Sequence, residues 1–301
     1  MKRRIKKIVK NSVMYKPLAR VYHFFYYAFF PFGYVSQYVV FPVKAFFRKH
    51  RIKPFYNKEL QHIDKFYNKY AGTGKRCFIV ATGPSLTLED IKKLDKNHEF
   101  TISMNGIYKF FDRTDWRPDV YAALDPNVEI NARGDKAFAP GTFSKEISFL
   151  NAKFLRGGGY VGTYLLHSCW QNHWMKVGDV KYDHSKNLRW NTDIVYGIFD
   201  KYTITNVAIE IAIFMGFREI YLIGVDNDYR GSRPYCYSDM GNEVENQPDK
   251  REEGAHASYV AMTQAYEFME KETKAHGIYV YNATRGGRLE AFERVDFDTL
   301  F

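Results

Sequence analysis

The sequence predicts a domain of the α/β class, with a mostly parallel sheet and helices on both of its faces. Three observations predict it. Short β-rich runs recur between residues 76 and 281, most of them end in a turn of small or hydrogen-bonding residues, and helical stretches separate them. At 301 residues, 46% hydrophobic and 26% charged, the chain suits one large domain or two small ones. The same figures exclude a disordered, collagen-like or disulfide-scaffold protein.

The first element is a segment of different composition. Residues 1–58 hold fourteen Lys or Arg and no Asp or Glu. Within it, Val21 to Val43 is a run of twenty-three residues without Asp, Glu, Lys or Arg, eleven of which are Phe or Tyr. Pro31, Gly33 and Pro42 interrupt the run, and its Tyr content suits the headgroup region better than the hydrocarbon centre. The segment is therefore expected to be a monotopic anchor on the cytoplasmic face of the cell membrane, its aromatics in the acyl boundary and its cations on anionic lipid. A helical arm packed on its own domain or on a partner subunit is the alternative, and no small-residue cleavage site marks a signal peptide.

This placement also explains the formal charge of +10. From Glu59 onward thirty basic residues face thirty-four acidic ones, so the body is mildly acidic and no nucleic-acid partner is expected. Cys77, Cys169 and Cys236 lack metal-ligand spacing and form an odd set, which fits a reducing compartment.

Residues 59–301 form the expected α/β domain. Arg76 to Ala81 reads as a strand, Thr82-Gly83-Pro84-Ser85 as a tight turn, and a helix opens at Thr87 with Asp90 three residues on as a capping-box variant. Further strands are expected at Phe100 to Met104, Asp119 to Leu124, Glu219 to Val225 and Gly277 to Tyr281, and helices at about Thr205 to Met215 and His256 to Lys274. The first of these helices is apolar nearly all round and belongs in the core. Asn206 and Glu210 share one of its faces, where they satisfy each other, satisfy backbone, or meet a ligand. The polar stretch of about residues 227–256, rich in Tyr at its start, reads as a lid.

In parallel sheets ligands bind beyond the carboxyl ends of the strands. The residues there are Thr82 to Ser85, Asn105-Gly106, Asp125-Pro126 and Gly224 to Tyr229. The Thr82 turn can offer backbone N–H groups to phosphate, although it is neither a Walker loop nor GxGxxG. Asp226 and Asp228 form a D-x-D tripeptide of the kind that holds a divalent cation on a diphosphate.

Taken together, CFIVATGPSL, ISMNGIY, PDVYAALDP, TITNVAIEIAIFMGFREIYLIGVDNDY and YNATRGGRLEAFERVDFDTLF resemble the MptE-like family, named for 6-hydroxymethylpterin diphosphokinase. The resemblance runs from about Arg76 to Phe301. Members also occur in bacterial surface-polysaccharide loci. More distantly, the chain is similar to the sialyltransferases of glycosyltransferase family 42, Rossmann-like enzymes with a lid that use CMP-sialic acid without a metal. That similarity implies nucleotide contacts from Thr82, Gly83, Pro84, Ser85, Asn105, Asp125, Thr205, Asn206, Gly224 and Asp226. It also implies leaving-phosphate donors in Tyr229 and Tyr235 and a general base in His256. Thr82 and Asp125 each stand where those enzymes have Asn.

The chemistry is coherent by itself. A base near neutrality takes the acceptor proton, and Tyr hydroxyls stabilise charge on the departing phosphate in place of a metal. The leading expectation is a membrane-associated glycosyltransferase with no cofactor. It would move a sugar, such as a sialic-acid-like one, from a CMP-linked or other nucleotide-sugar donor to a cell-surface glycan or lipid-linked acceptor in capsule or lipopolysaccharide synthesis. The alternatives are a diphosphokinase with Mg²⁺ on Asp226 and Asp228, and a non-catalytic nucleotide-binding scaffold. Assembly with further copies of the chain stays open.

Overall fold

A computed structural model describes residues 63–124, 142–151, 163–166, 168–169, 188–195, 197–199, 202–228, 235–237 and 251–301, with isolated positions at 43–44, 46–47, 50, 52, 183 and 185. The expected anchor within residues 1–58 falls almost wholly outside the described residues, as do Asp125 and Tyr229. Among the described residues no helix is long and apolar enough to cross a membrane.

The expected α/β class is what the chain adopts. Strands β1 (Cys77–Val80), β2 (Phe100–Met104), β3 (Val120–Ala123), β4 (Ile147–Asn151) and β5 (Thr163–Leu166) lie side by side in chain order. The short strands β6 (Ser168–Cys169) and β7 (Ile198–Phe199) pair apart from them. Strand β8 (Glu219–Ile223) then returns to the free side of β1, followed outward by β9 (Tyr279–Asn282) and β10 (Glu293–Arg294). Every pairing is parallel, giving the order β10-β9-β8-β1-β2-β3-β4-β5. The direction of winding reverses between β1 and β8, so the switch point of this Rossmann-like sheet lies there.

The sequence explains the sheet's interior. A parallel strand covered on both faces needs a continuous apolar run, and all four residues of CFIV and of VYAA are buried. Alternate side chains serve two cores. Cys77, Ile79, Ile102, Met104, Ile220 and Leu222 face one, while Phe78, Val80, Tyr121, Tyr221 and Ile223 face the other.

Helix α1 (Leu88–Lys96) puts Ile91 and Leu94 on the second face, and α2 (Ile204–Phe214) fills the first. The capping box at α1 is present as expected: the Thr87 side chain accepts from the Asp90 N–H, and the Thr87 N–H donates to the Asp90 carboxylate at 3.0 Å. Helix α3 (Arg251–Ala275) begins five residues before the expected His256, which shortens the expected lid to residues 227–250. Arg251, Glu252 and Glu253 are good helix formers without an apolar stripe, so hydrophobic periodicity hides this first turn.

Candidate functional site

The site begins with two turns fastened to each other. After β1 the Ala81 N–H donates to Ile223 O at 2.9 Å, and the Gly83 N–H to Gly224 O at 2.8 Å. The Asp226 carboxylate accepts from the Ser85 hydroxyl at 2.8 Å and from the Ser85 N–H at 3.4 Å. A methyl group on Gly83 would collide with that carboxylate and with the Gly224 carbonyl. Glycine is thus required at position 83 for space. Burial raises the Asp226 pKa above the usual carboxylate range, against the opposing effect of the Ser85 hydrogen bonds.

Beyond these turns lies a pocket of about 220 Å³, walled by Ala81 to Pro84, Met104, Asn105, Tyr202 to Thr205, Gly224 to Asp228, Tyr235, Met262 and Tyr266. Of the expected nucleotide contacts, Thr82, Gly83, Pro84, Asn105, Thr205, Gly224 and Asp226 line it, Ser85 braces its wall, and Tyr235 closes one side. Asn105 and Asn227 adopt left-handed backbone at φ 48° and 49°, which Asn tolerates. Each presents a buried side-chain amide oxygen with no hydrogen-bond partner among the described residues. Tyr202, at φ 65°, is a bulkier outlier on the same wall.

Asn206 stands apart from this set. It is fully buried in α2, and neither its side-chain nitrogen nor its oxygen has a hydrogen-bond partner among the described residues. It therefore does not pair with Glu210, whose Oε1 accepts from the Asn191 N–H at 2.9 Å. Of the three residues given roles in transfer, Tyr235 is at the pocket, Tyr229 lies outside the described residues, and His256 sits on described helix backbone with its side chain outside what is described. Position 256 precedes Tyr259 and Thr263 by about one and two turns of α3, on the face from which Thr263 accepts a 3.1 Å hydrogen bond from the Asn227 amide.

Segment 235–237 docks onto both turns. The Cys236 N–H donates to Thr82 O at 3.0 Å, and the Tyr237 ring occupies the space over Gly106 that any side chain there would need. Tyr235 and Tyr237 stack with centroids 5.1 Å apart. Burial pushes the Cys236 thiol up to about 12 and raises the Tyr237 hydroxyl as well, so both stay neutral.

Sequence reading included Asn227 in the turn after β8 and missed Thr203, Met262 and Tyr266. Thr203 had a signal: its hydroxyl accepts from the Thr205 N–H as the N-cap of α2, and it also pairs with the Tyr266 hydroxyl at 3.1 Å. Met262 and Tyr266 carried none, because a helix face alone does not say which strand ends it will meet.

A family model described as 6-hydroxymethylpterin diphosphokinase MptE-like matches residues 50–232, more than half of the chain. The chain belongs to the MptE-like family. No curated protein matches it. Among solved structures it is similar to the Maf glycosyltransferase of Magnetospirillum magneticum AMB-1, at 14% identity and TM-score 0.44, over 81% of this chain and 38% of that one. This MptE-like chain thus spans well under half of that enzyme. It is also similar to the sialyltransferase CstII of Campylobacter jejuni, in a structure with cytidine-5'-monophosphate, at 16% identity and TM-score 0.37, over 74% of this chain and 85% of that one. A second CstII structure, with CMP-3FNeuAc, matches at 17% identity and the same TM-score over 73% and 86%.

Proposed function

We propose that this MptE-like protein is a glycosyltransferase that binds a nucleotide-sugar donor in the switch-point pocket. The observation that carries the reading is the pair of amide oxygens without a partner among the described residues, on Asn105 and Asn227, two residues that line one crevice at the carboxyl ends of β2 and β8. They suit the amino and hydroxyl groups of a nucleoside. The phosphate side is sparing among the described residues: Asp226 already takes the Ser85 N–H, and the described part of the pocket wall contains Asp226 and Asp228 but no Lys or Arg. That wall fits a donor with little phosphate charge, such as a CMP-linked sugar, better than a triphosphate.

In the proposed reaction His256 takes the proton of an acceptor hydroxyl as its oxygen bonds to the anomeric carbon. The bond from that carbon to the donor phosphate breaks, and Tyr229 and Tyr235 donate hydrogen bonds to the departing phosphate oxygen. The acceptor would be a cell-surface glycan or a lipid-linked precursor reached from the cytoplasmic face of the membrane. The second reading, the diphosphokinase, is favoured by Asp226 and Asp228 lining the same pocket, since Mg²⁺ is commonly held by one or two carboxylates and substrate phosphates. Bound there, the ion would neutralise phosphate charge.

Thermal unfolding with CMP, UDP, GDP or ATP, each with and without Mg²⁺, separates the two. Ligand at a hundredfold excess over Kd stabilises by about 2.7 kcal/mol. Stabilisation by CMP without Mg²⁺ is expected, and His256→Ala should retain it while losing transfer. A shift confined to ATP with Mg²⁺ would overturn the glycosyltransferase reading.

A further inference from the structure

The loop between β9 and β10 and strand β10 itself carry three arginines, and two of them are fully engaged. Arg285 bridges Asp90 and Asp298. Arg294 pairs with Glu290 and donates to the carbonyls of Gly286 at 2.8 Å and Leu289 at 3.1 Å, with longer bonds to those of Thr284 and Gly287. Arg288 differs. Its guanidinium lies 4.0 Å over the Tyr259 ring and makes no hydrogen bond or ion pair among the described residues. Stacking of this kind uses the face of the guanidinium and leaves its edge donors unspent.

The backbone fixes where this cation stands. The Arg288 N–H donates to Asp226 O at 2.7 Å, and Gly287, at φ 72°, lies so close to the Asp226 backbone that a Cβ would clash with it. Its stacking partner Tyr259 is one turn of α3 before Met262, which lines the pocket. The Arg288 backbone therefore stands against the wall formed by Asp226, Asn227 and Asp228, next to a pocket whose lining among the described residues contains no cation. A guanidinium held there on an aromatic shelf matches an oxyanion in planar, two-pronged geometry.

Resting on the donor reading above, we propose that Arg288 binds an anionic oxygen group of the donor and so selects for it. Two groups share this chemistry, the nucleotide phosphate and a carboxylate on the sugar. Binding of cytidine, CMP and CMP-sialic acid, with uridine, UMP and UDP-glucuronic acid in parallel, is measured calorimetrically for the wild type and Arg288→Gln. If the phosphate is the target, Arg288→Gln weakens CMP or UMP about tenfold and leaves the nucleoside unchanged. If the carboxylate is the target, nucleoside and monophosphate are unchanged and the carboxylated sugar nucleotide alone weakens about tenfold. Arg288→Lys, which keeps the charge without the fork, falls between.

Equal affinities of wild type and Arg288→Gln for every ligand overturn the assignment while leaving the donor reading intact. A wild type that binds neither series, and that GDP does not stabilise in the thermal screen, overturns the donor reading and this assignment with it. Should Arg288→Gln unfold, Tyr259→Leu removes the shelf and keeps the arginine. It is expected to weaken the same ligand severalfold, and unchanged binding would overturn the proposal.

Discussion

At the scale of single residues, Gly83 and Asp226 are two halves of one contact. Gly83→Ala forces a methyl group into the Gly224 carbonyl, which is backbone, and into the Asp226 carboxylate, which the Ser85 hydroxyl and N–H hold in place. Overpacking of this kind costs about 1–3 kcal/mol, so urea unfolding should show that loss together with loss of nucleotide binding. An unchanged midpoint would mean that the two turns separate freely. Asp226 tests the same contact through pH. Its folded pKa is raised by burial, so the native state holds the proton more tightly than the unfolded chain does. Its contribution is fully present below an unfolded pKa of about 3.9 and is lost as pH rises through the folded value. Asp226→Asn keeps an acceptor for Ser85 without burying a charge. The stability of this variant relative to wild type should therefore increase with pH above about 4, and a relative decrease would contradict the assigned burial effect.

At the scale of elements, the most legible parts of the sequence were those whose local chemistry agrees with their place in the sheet. CFIV, FTISM and EIYLI are rich in apolar and β-branched residues and almost wholly buried because both faces of a central parallel strand are covered, and Thr87 with Asp90 announced the start of α1. Strands β4 to β7 and β10 were missed. They are two to five residues long, and β6 and β7 owe their strand state to pairing at a distance of about thirty residues, which no local pattern encodes. The site was legible where it followed a strand directly, as at Thr82 to Ser85, Asn105 and Gly224 to Asp228. It was illegible where a helix side supplied it. Helix α1 makes the cap testable. Thr87→Ala removes the acceptor for the Asp90 N–H just after the Thr82 to Ser85 turn, and such caps contribute about 0.5–2 kcal/mol. Chemical denaturation should register that loss. Thr87→Ser, which keeps the hydroxyl, should restore most of it.

At the scale of the whole molecule, charge divides along the chain. The body from residue 59 carries four more acidic than basic residues, whereas residues 1–58 carry fourteen basic residues and none that is acidic. On the proposed function, an enzyme with a lipid-linked acceptor would gain from this division, because an anionic membrane would attract the front segment and repel the rest. Each Lys or Arg near such a surface contributes about 1 kcal/mol, an attraction that fades within a Debye length of about 10 Å at 0.1 M salt. The eleven Phe and Tyr residues between positions 21 and 43 add an apolar part that salt does not screen. The full chain should therefore sediment with vesicles containing phosphatidylserine, weaken as salt is raised to 0.5 M, and still retain measurable binding there. Residues 59–301 alone, which include the described sheet and its core from Ile63 onward, should stay in the supernatant at every salt concentration. Sedimentation of that fragment would place the membrane contact on the α/β body, and complete release of the full chain at high salt would reduce the aromatic run to an arm packed on protein.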